Sequence, residues 1–171
     1  HQCIDIGLIL DDIQQDLDLQ KEKIQQVEKQ IVELIATDSK MKSNYEKACG
    51  VKGIGPIIAA YMILYTNNFT AFDNPRKFNC YAGLAPFERS SGTSIKGKTK
   101  TSRLRNKVIK ALLFNGANSA SNHDYELKAY YKRKRIEGKP HQLIMNNIAC
   151  KLVYRVFAVV NREEPYVNFK N

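Results

Sequence analysis

Between Ala85 and Asn106 the sequence gathers groups suited to act on a phosphate. The run Pro86-Phe87-Glu88-Arg89-Ser90-Ser91-Gly92-Thr93-Ser94-Ile95-Lys96-Gly97-Lys98-Thr99-Lys100-Thr101-Ser102-Arg103-Leu104-Arg105 interleaves hydroxyls, glycines and cations. Arg89, Lys96, Lys98, Lys100, Arg103 and Arg105 can neutralise and position a phosphate backbone, and Gly92 and Gly97 let backbone come close to it. Solvated linkers have the same composition, so composition alone promotes no serine to a nucleophile. A serine hydroxyl attacks only when its proton is removed or the phosphate is polarised. No His–Asp partner pattern lies nearby, so serine-hydrolase chemistry gets no support.

Two further stretches have phosphate-binding character. In Cys49-Gly50-Val51-Lys52-Gly53-Ile54-Gly55-Pro56, the Gly53-x-Gly55 turn before a proline-led helix fits a helix-hairpin-helix. Such a turn aims backbone N–H groups and a helix amino terminus at a phosphate, with Lys52 adding charge. It equally fits a tight turn that lets two helices pack closely. Farther on, Asp124 is placed to cap a helix over 125–137 that carries Lys128, Lys132, Arg133, Lys134 and Arg135 among Tyr125, Tyr130 and Tyr131. Basic residues interleaved with tyrosines suit nucleic acid, and they also suit the surface of a helical bundle.

The chain's charge agrees with a polyanionic partner. It holds 27 Lys plus Arg against 17 Asp plus Glu, a formal net charge of +10, and each phosphate so neutralised releases condensed counterions. Cys3, Cys49, Cys80 and Cys150 show no metal-ligand spacing and read as small apolar residues of a reduced protein. No apolar run is expected to reach the roughly 20 residues of a membrane span. The start of the chain shows no signal-peptide pattern. These features together place the protein in the cytoplasm.

The elements that position these groups read as helices. Leu10, Ile13, Leu17, Gln20, Ile24, Val27, Ile31 and Leu34 alternate spacings of three and four, the seam of a left-handed coiled coil. An amphipathic helix lying on its own domain is the alternative. Asp73 is expected to cap a helix over 74–82 that Gly83 ends, and Thr101 or Ser102 to cap one running to about 119, with Leu104, Val108, Ala111 and Leu112 as its buried stripe. Pro140 opens a last helix through Leu143, Ile144, Ile148, Leu152, Val153, Val156, Phe157 and Val160. The fold is therefore expected to be all-α, with a coiled-coil helix over 1–44 and a compact helical domain over 45–171.

Several motifs recur in a set order: Gly53-Ile54-Gly55-Pro56, Phe69-Thr70-Ala71-Phe72, Tyr81-Ala82-Gly83-Leu84-Ala85-Pro86 and Ser91-Gly92, then Tyr130-Tyr131, Gly138-Lys139, Lys151-Leu152 and Pro165-Tyr166. In that order and spacing the chain resembles the carboxy-terminal domain of IS110-type insertion-sequence transposases and of the related Piv DNA invertase, from about Tyr45 onward. The resemblance implies an enzyme that cuts and rejoins DNA. Ser91 would be the nucleophile that forms a phosphoserine linkage, with Ser90 its neighbouring rival and Ser94 a further one.

The resemblance also implies an amino-terminal RuvC-like domain whose four acidic residues hold Mg2+. No counterpart of that metal site is found in this sequence, so the chain is expected to be a fragment that binds DNA without completing catalysis. A bridge-type guide RNA, homo-oligomers formed through the coiled coil and a nucleoid-associated bacterial location are implied in the same way. Many relatives carry Gly-Asn followed by Leu-Arg where this chain has Arg105-Asn106 and Ile109-Lys110, so of these only Asn106 is carried across as a nucleic-acid contact. The alternative function is a non-catalytic module for nucleic-acid binding and dimerisation.

Overall fold

The structure is a computed structural model that describes residues 6–85, 90–91, 95–96 and 105–162, with the backbone alone at 8, 90, 91, 95 and 96. Among these residues the architecture is all-α, with seven helices and one two-residue antiparallel ladder. Compact packing divides the chain into two units, 1–38 and 39–171.

The first unit is helix α1, Ile6–Ala36. It closes where the Thr37 N–H and hydroxyl both donate to the Leu34 carbonyl, at 3.2 and 2.7 Å. Most of its expected seam lies open, with Leu10, Ile13, Leu17, Ile24, Val27 and Leu34 each at least half exposed and Ile31 partly buried.

The second unit holds α2 (Ser39–Cys49), α3 (Pro56–Thr66), α4 (Pro75–Tyr81), α5 (Lys107–His123), α6 (Tyr125–Ile136) and α7 (His141–Val160). Helix α7 is the core element and packs against α2, α4, α5 and α6. It buries Ile144, Met145, Ile148, Ala149, Leu152, Val153, Val156, Phe157 and Val159. Contrary to the sequence expectation, α7 is long and apolar enough to cross a membrane by length and composition. Its burial in this core accounts for that apolar character. Phe78 links α4 to the same core, with its ring centroid 5.8 Å from that of Phe157.

Caps fix most helix boundaries. Asp124 caps α6 as expected, accepting from Leu127 N at 2.9 Å. Helix α4 is capped by Asn74, which accepts from Lys77 N at 3.0 Å, whereas Asp73 is paired with the Lys77 ammonium at 2.7 Å. Helix α5 starts later than expected, at Lys107, because Asn106 accepts from both Val108 N and Ile109 N at 3.0 and 3.1 Å. Its stripe shifts accordingly: Ile109, Leu113, Ala117 and Ala120 are buried, while Val108 is 49% exposed. Thr101, Ser102 and Leu104 lie outside the described residues.

The turn between α2 and α3 rests directly on α5. Gly53 adopts φ +93°, and a Cβ there would stand 2.6 Å from the Gly116 carbonyl oxygen and 2.7 Å from the Ala120 Cβ. Gly55 has no such neighbour and an ordinary φ of −84°. Gly53→Ala is therefore expected to destabilise the chain by about 2–4 kcal/mol through strain and overpacking. Gly55→Ala should cost under about 1 kcal/mol, mainly as a poorer cap. Equal thermal midpoints for the two variants would show that the turn does not need its close approach to α5.

Candidate nucleic-acid interface

Ala85 and Arg105 flank the segment bearing Ser91 in the sequence, and hydrogen bonds among the neighbouring residues hold these two ends together. The Asn106 N–H donates to the Tyr81 carbonyl at 3.0 Å, and Asn106 Nδ2 donates to the Tyr81 hydroxyl at 2.9 Å. The Lys110 ammonium donates to the Gly83 carbonyl at 3.0 Å. Asn146 Nδ2 from α7 donates to the Leu84 carbonyl at 2.7 Å. Gly83 turns with φ +69° and lies so close to Arg105 that an added Cβ would meet its Cβ at 2.6 Å. The result is a neck fixed to α4, α5 and α7.

Beyond the neck, Ser90–Ser91 forms strand β1 and Ile95–Lys96 forms strand β2. They pair antiparallel, with Ser90 opposite Lys96 and Ser91 opposite Ile95. This ladder brings the backbone of the expected nucleophile alongside that of one expected phosphate-binding lysine. Arg89, Gly92, Lys98, Lys100 and Arg103 lie outside the described residues, as do the side chains of Ser90, Ser91 and Lys96.

The remaining expected contacts fall at separate places on the second unit. Lys52, Gly53 and Gly55 line a cavity of about 410 Å³ with Asn115, Gly116 and Ser119 of α5. Lys132 and Arg133 are exposed on α6. The Arg133 guanidinium lies 5.7 Å from the centre of the Tyr130 ring, and the Lys151 ammonium lies 5.0 Å from the same ring. Both Lys151 and Tyr130 line an open cavity of about 540 Å³. The sequence pattern had marked Lys151 as part of a motif without giving it a site role. Asn106 is occupied at both ends of its amide by the α5 cap and Tyr81, which accounts for it without a nucleic acid.

Lys110, which the family resemblance in the sequence did not carry across as a contact, sits at the neck. Burial, and then the charge of Arg105, lower its pKa below the ordinary lysine value. The ammonium also lies 5.7 Å from the centre of the Phe114 ring. Burial pushes the Cys150 thiol up to about 11, with Cys80 contributing, and burial also raises Cys49. Cys49, Cys80 and Cys150 are free thiols; the upward shifts of Cys49 and Cys150 make them poor thiolate nucleophiles.

If Asn106 clamps the neck, Asn106→Ala should lower stability by about 2 kcal/mol through loss of the cap and the tyrosine bond. Tyr81→Phe should cost about 1 kcal/mol, since it removes one of those bonds. Thermal melts of both variants check this. An unchanged midpoint for Asn106→Ala would show that these bonds do not hold the neck.

Residues 45–132 match the Transposase IS116/IS110/IS902 family. Over 108 residues the chain is 33% identical to an insertion element IS110 uncharacterized protein of Streptomyces coelicolor, covering 63% of this chain and 26% of that protein. It is 25% identical over 146 residues to the pilin gene-inverting protein of Moraxella lacunata, covering 85% of this chain and 45% of that relative. An insertion element IS116 uncharacterized protein of Streptomyces clavuligerus is 24% identical, with 81% of this chain and 34% of that protein covered. The chain thus spans less than half the length of each of these relatives. With the family match extending over half of its residues, the chain belongs to the IS116/IS110/IS902 transposase family.

Proposed function

We propose that this chain is the DNA-engaging, serine-bearing part of a transposase or site-specific recombinase that acts in the bacterial cytoplasm, at the nucleoid. The observation that carries the proposal is the clamped neck, whose two ends bracket in sequence the paired Ser90–Ser91 and Ile95–Lys96. Ser91 Oγ attacks the scissile phosphorus and forms a phosphoserine ester. The phosphorus–oxygen bond to the leaving deoxyribose breaks, and the serine proton is passed on as that hydroxyl forms. Rejoining reverses the step, with a DNA hydroxyl displacing the serine. Arg89, Lys96, Lys98, Lys100, Arg103 and Arg105 hold the backbone and neutralise its charge. A bridge-type guide RNA is a further partner that the same basic groups suit.

Among the described residues no group of three or more His, Cys, Asp or Glu side chains could hold a metal ion. The family resemblance would place Mg2+, which would polarise the phosphate, on a RuvC-like domain, and the residues above bind and orient DNA. The open seam of α1 supports pairing with a second copy through a coiled coil. Burying half-exposed Leu, Ile and Val side chains contributes about 25 cal/mol per Å2 of apolar area.

Covalent trapping tests the proposal. Labelled DNA is incubated with Mg2+ and the chain joined to its RuvC-like domain, as wild type and as Ser91→Ala. Wild type should give a protein–DNA adduct, and Ser91→Ala should lose it by at least a hundredfold while keeping salt-dependent DNA binding. An adduct that persists in Ser91→Ala moves the nucleophile elsewhere. No adduct from either protein, with salt-dependent DNA binding intact and candidate guide RNA supplied, would favour the non-catalytic binding module instead.

A further inference from the structure

Five polar side chains are buried among the described residues, and four have hydrogen-bond partners. Asn44 Nδ2 donates to Asn68 Oδ1 at 2.8 Å, Thr66 Oγ1 to the Met62 carbonyl at 2.6 Å, and Ser121 Oγ to the Asn118 carbonyl at 2.8 Å. Asp124 accepts from Leu127 N and from Arg155, each at 2.9 Å. The fifth is Asn79 on α4, only 2% exposed, whose Oδ1 is buried without a partner. An unsatisfied buried acceptor forfeits its desolvation free energy, so one that persists calls for an explanation.

Asn79 lines a cavity of about 400 Å³, bounded also by Arg76, Leu143, Asn146, Asn147 and Tyr154. That volume lies within the range of small-ligand sites. The cavity sits at the foot of the neck: the Asn79 carbonyl accepts from Leu84 N and Ala85 N at 2.9 and 3.2 Å, and Ala85 is on its wall. Asn146 and Asn147 are held in orientation by donation to the Leu84 carbonyl at 2.7 Å and to the Tyr130 hydroxyl at 3.4 Å. Leu143 and Tyr154, each about half exposed, supply apolar and aromatic surface, and exposed Arg76 supplies a cation at the mouth.

The geometry points to a pocket for an unpaired nucleobase, read by the Asn79 amide, beside the segment that carries Ser91. Every nucleobase offers an N–H donor on its pairing edge, which is what Asn79 Oδ1 lacks. An asparagine amide suits a paired donor and acceptor on a base edge, and aromatic surface suits a base face. Arg76 is placed for the attached phosphate. The inference rests on the proposed DNA function, since only a nucleic acid brought to this interface supplies the base. Extruding a base costs least where it is already unpaired.

The test uses the 171-residue chain and three labelled probes at one salt concentration: a fully paired DNA duplex, the same duplex with one bulged 2-aminopurine, and a hybrid with the bulge on an RNA strand. Wild type should bind a bulged probe about tenfold or more tightly than the paired duplex, with a change in 2-aminopurine fluorescence. Asn79→Leu should erase that preference, leave paired-duplex affinity within about twofold, and not lower the melting temperature, because it removes an unsatisfied polar group. A preference confined to the RNA bulge, and lost in Asn79→Leu, keeps the pocket and makes RNA the source of its base. If wild type has no bulge preference, or Asn79→Leu retains it, the pocket is overturned and a buried water suffices for Asn79. If wild type binds neither DNA nor RNA, the DNA function and the pocket fall together.

Discussion

Helix α7 buries side chains around most of its circumference, and the other helices of the second unit are arranged by the need to cover it. Ile144, Ile148 and Leu152 recur at four-residue spacing, while Met145, Ala149, Val153, Val156 and Phe157 widen the stripe beyond what a single neighbour can cover. Four helices, α2, α4, α5 and α6, accordingly meet it. This explains why α5 and α6 meet at the single residue Asp124, which ends one helix and caps the next. It also explains why Asp124 can be buried at 1% exposure: its carboxylate is held by the Leu127 N–H and the Arg155 guanidinium of α7. A buried carboxylate is tolerable only when it is both paired and hydrogen-bonded.

The same packing makes the neck possible. Helix α4 lies on α7 through Phe78, and α5 lies on α7 along its length, so the end of one and the start of the other come to rest side by side. Tyr81, Gly83 and Leu84 then face Asn106, Lys110 and Asn146, and each pair is joined by a hydrogen bond to a side chain or backbone carbonyl. The ends of the segment bearing Ser91 are thus fixed by core-anchored residues.

Much of this was legible in the sequence because it rests on local rules. Asp124 before Tyr125, Gly138 after α6, Gly83 after α4 and Pro140 before α7 mark boundaries through capping and backbone geometry, and they stand where those rules put them. The start of α5 was misread because Thr101 and Ser102 are good cap types ahead of an apolar residue. Asn106 is capable of the same cap and is additionally fixed by Tyr81, a partner 25 positions away that no local rule reveals. The stripe on α5 slipped by one residue for the same reason. Asp73 and Asn74 are adjacent residues of equal capping ability, and the lysine at position 77 decided between them by pairing with the aspartate.

The family was legible in a different way, through the order of motifs rather than through any one residue's chemistry, and the candidate site rests on that order. Ser91 is distinguished from Ser90 and Ser94 only by its place beside Gly92, since nothing in residue type separates three serines of one basic segment. Charge supplies a second, independent line. Several acidic groups are used up in local pairs: Asp18 with Lys21, Asp73 with Lys77, Glu137 with Lys134, and Asp124 and Glu126 with Arg155. Lysine hydrogen bonds lower the pKa of Asp18, Asp73 and Glu137 below the ordinary carboxylate range. Exposed pairs of this kind add little stability. Their consequence is that the chain's surplus of +10 is carried by cations outside these pairs. Six of the basic positions, from Arg89 to Arg105, lie between Ala85 and Asn106 in the sequence, so charge and motif order converge on the same stretch of chain.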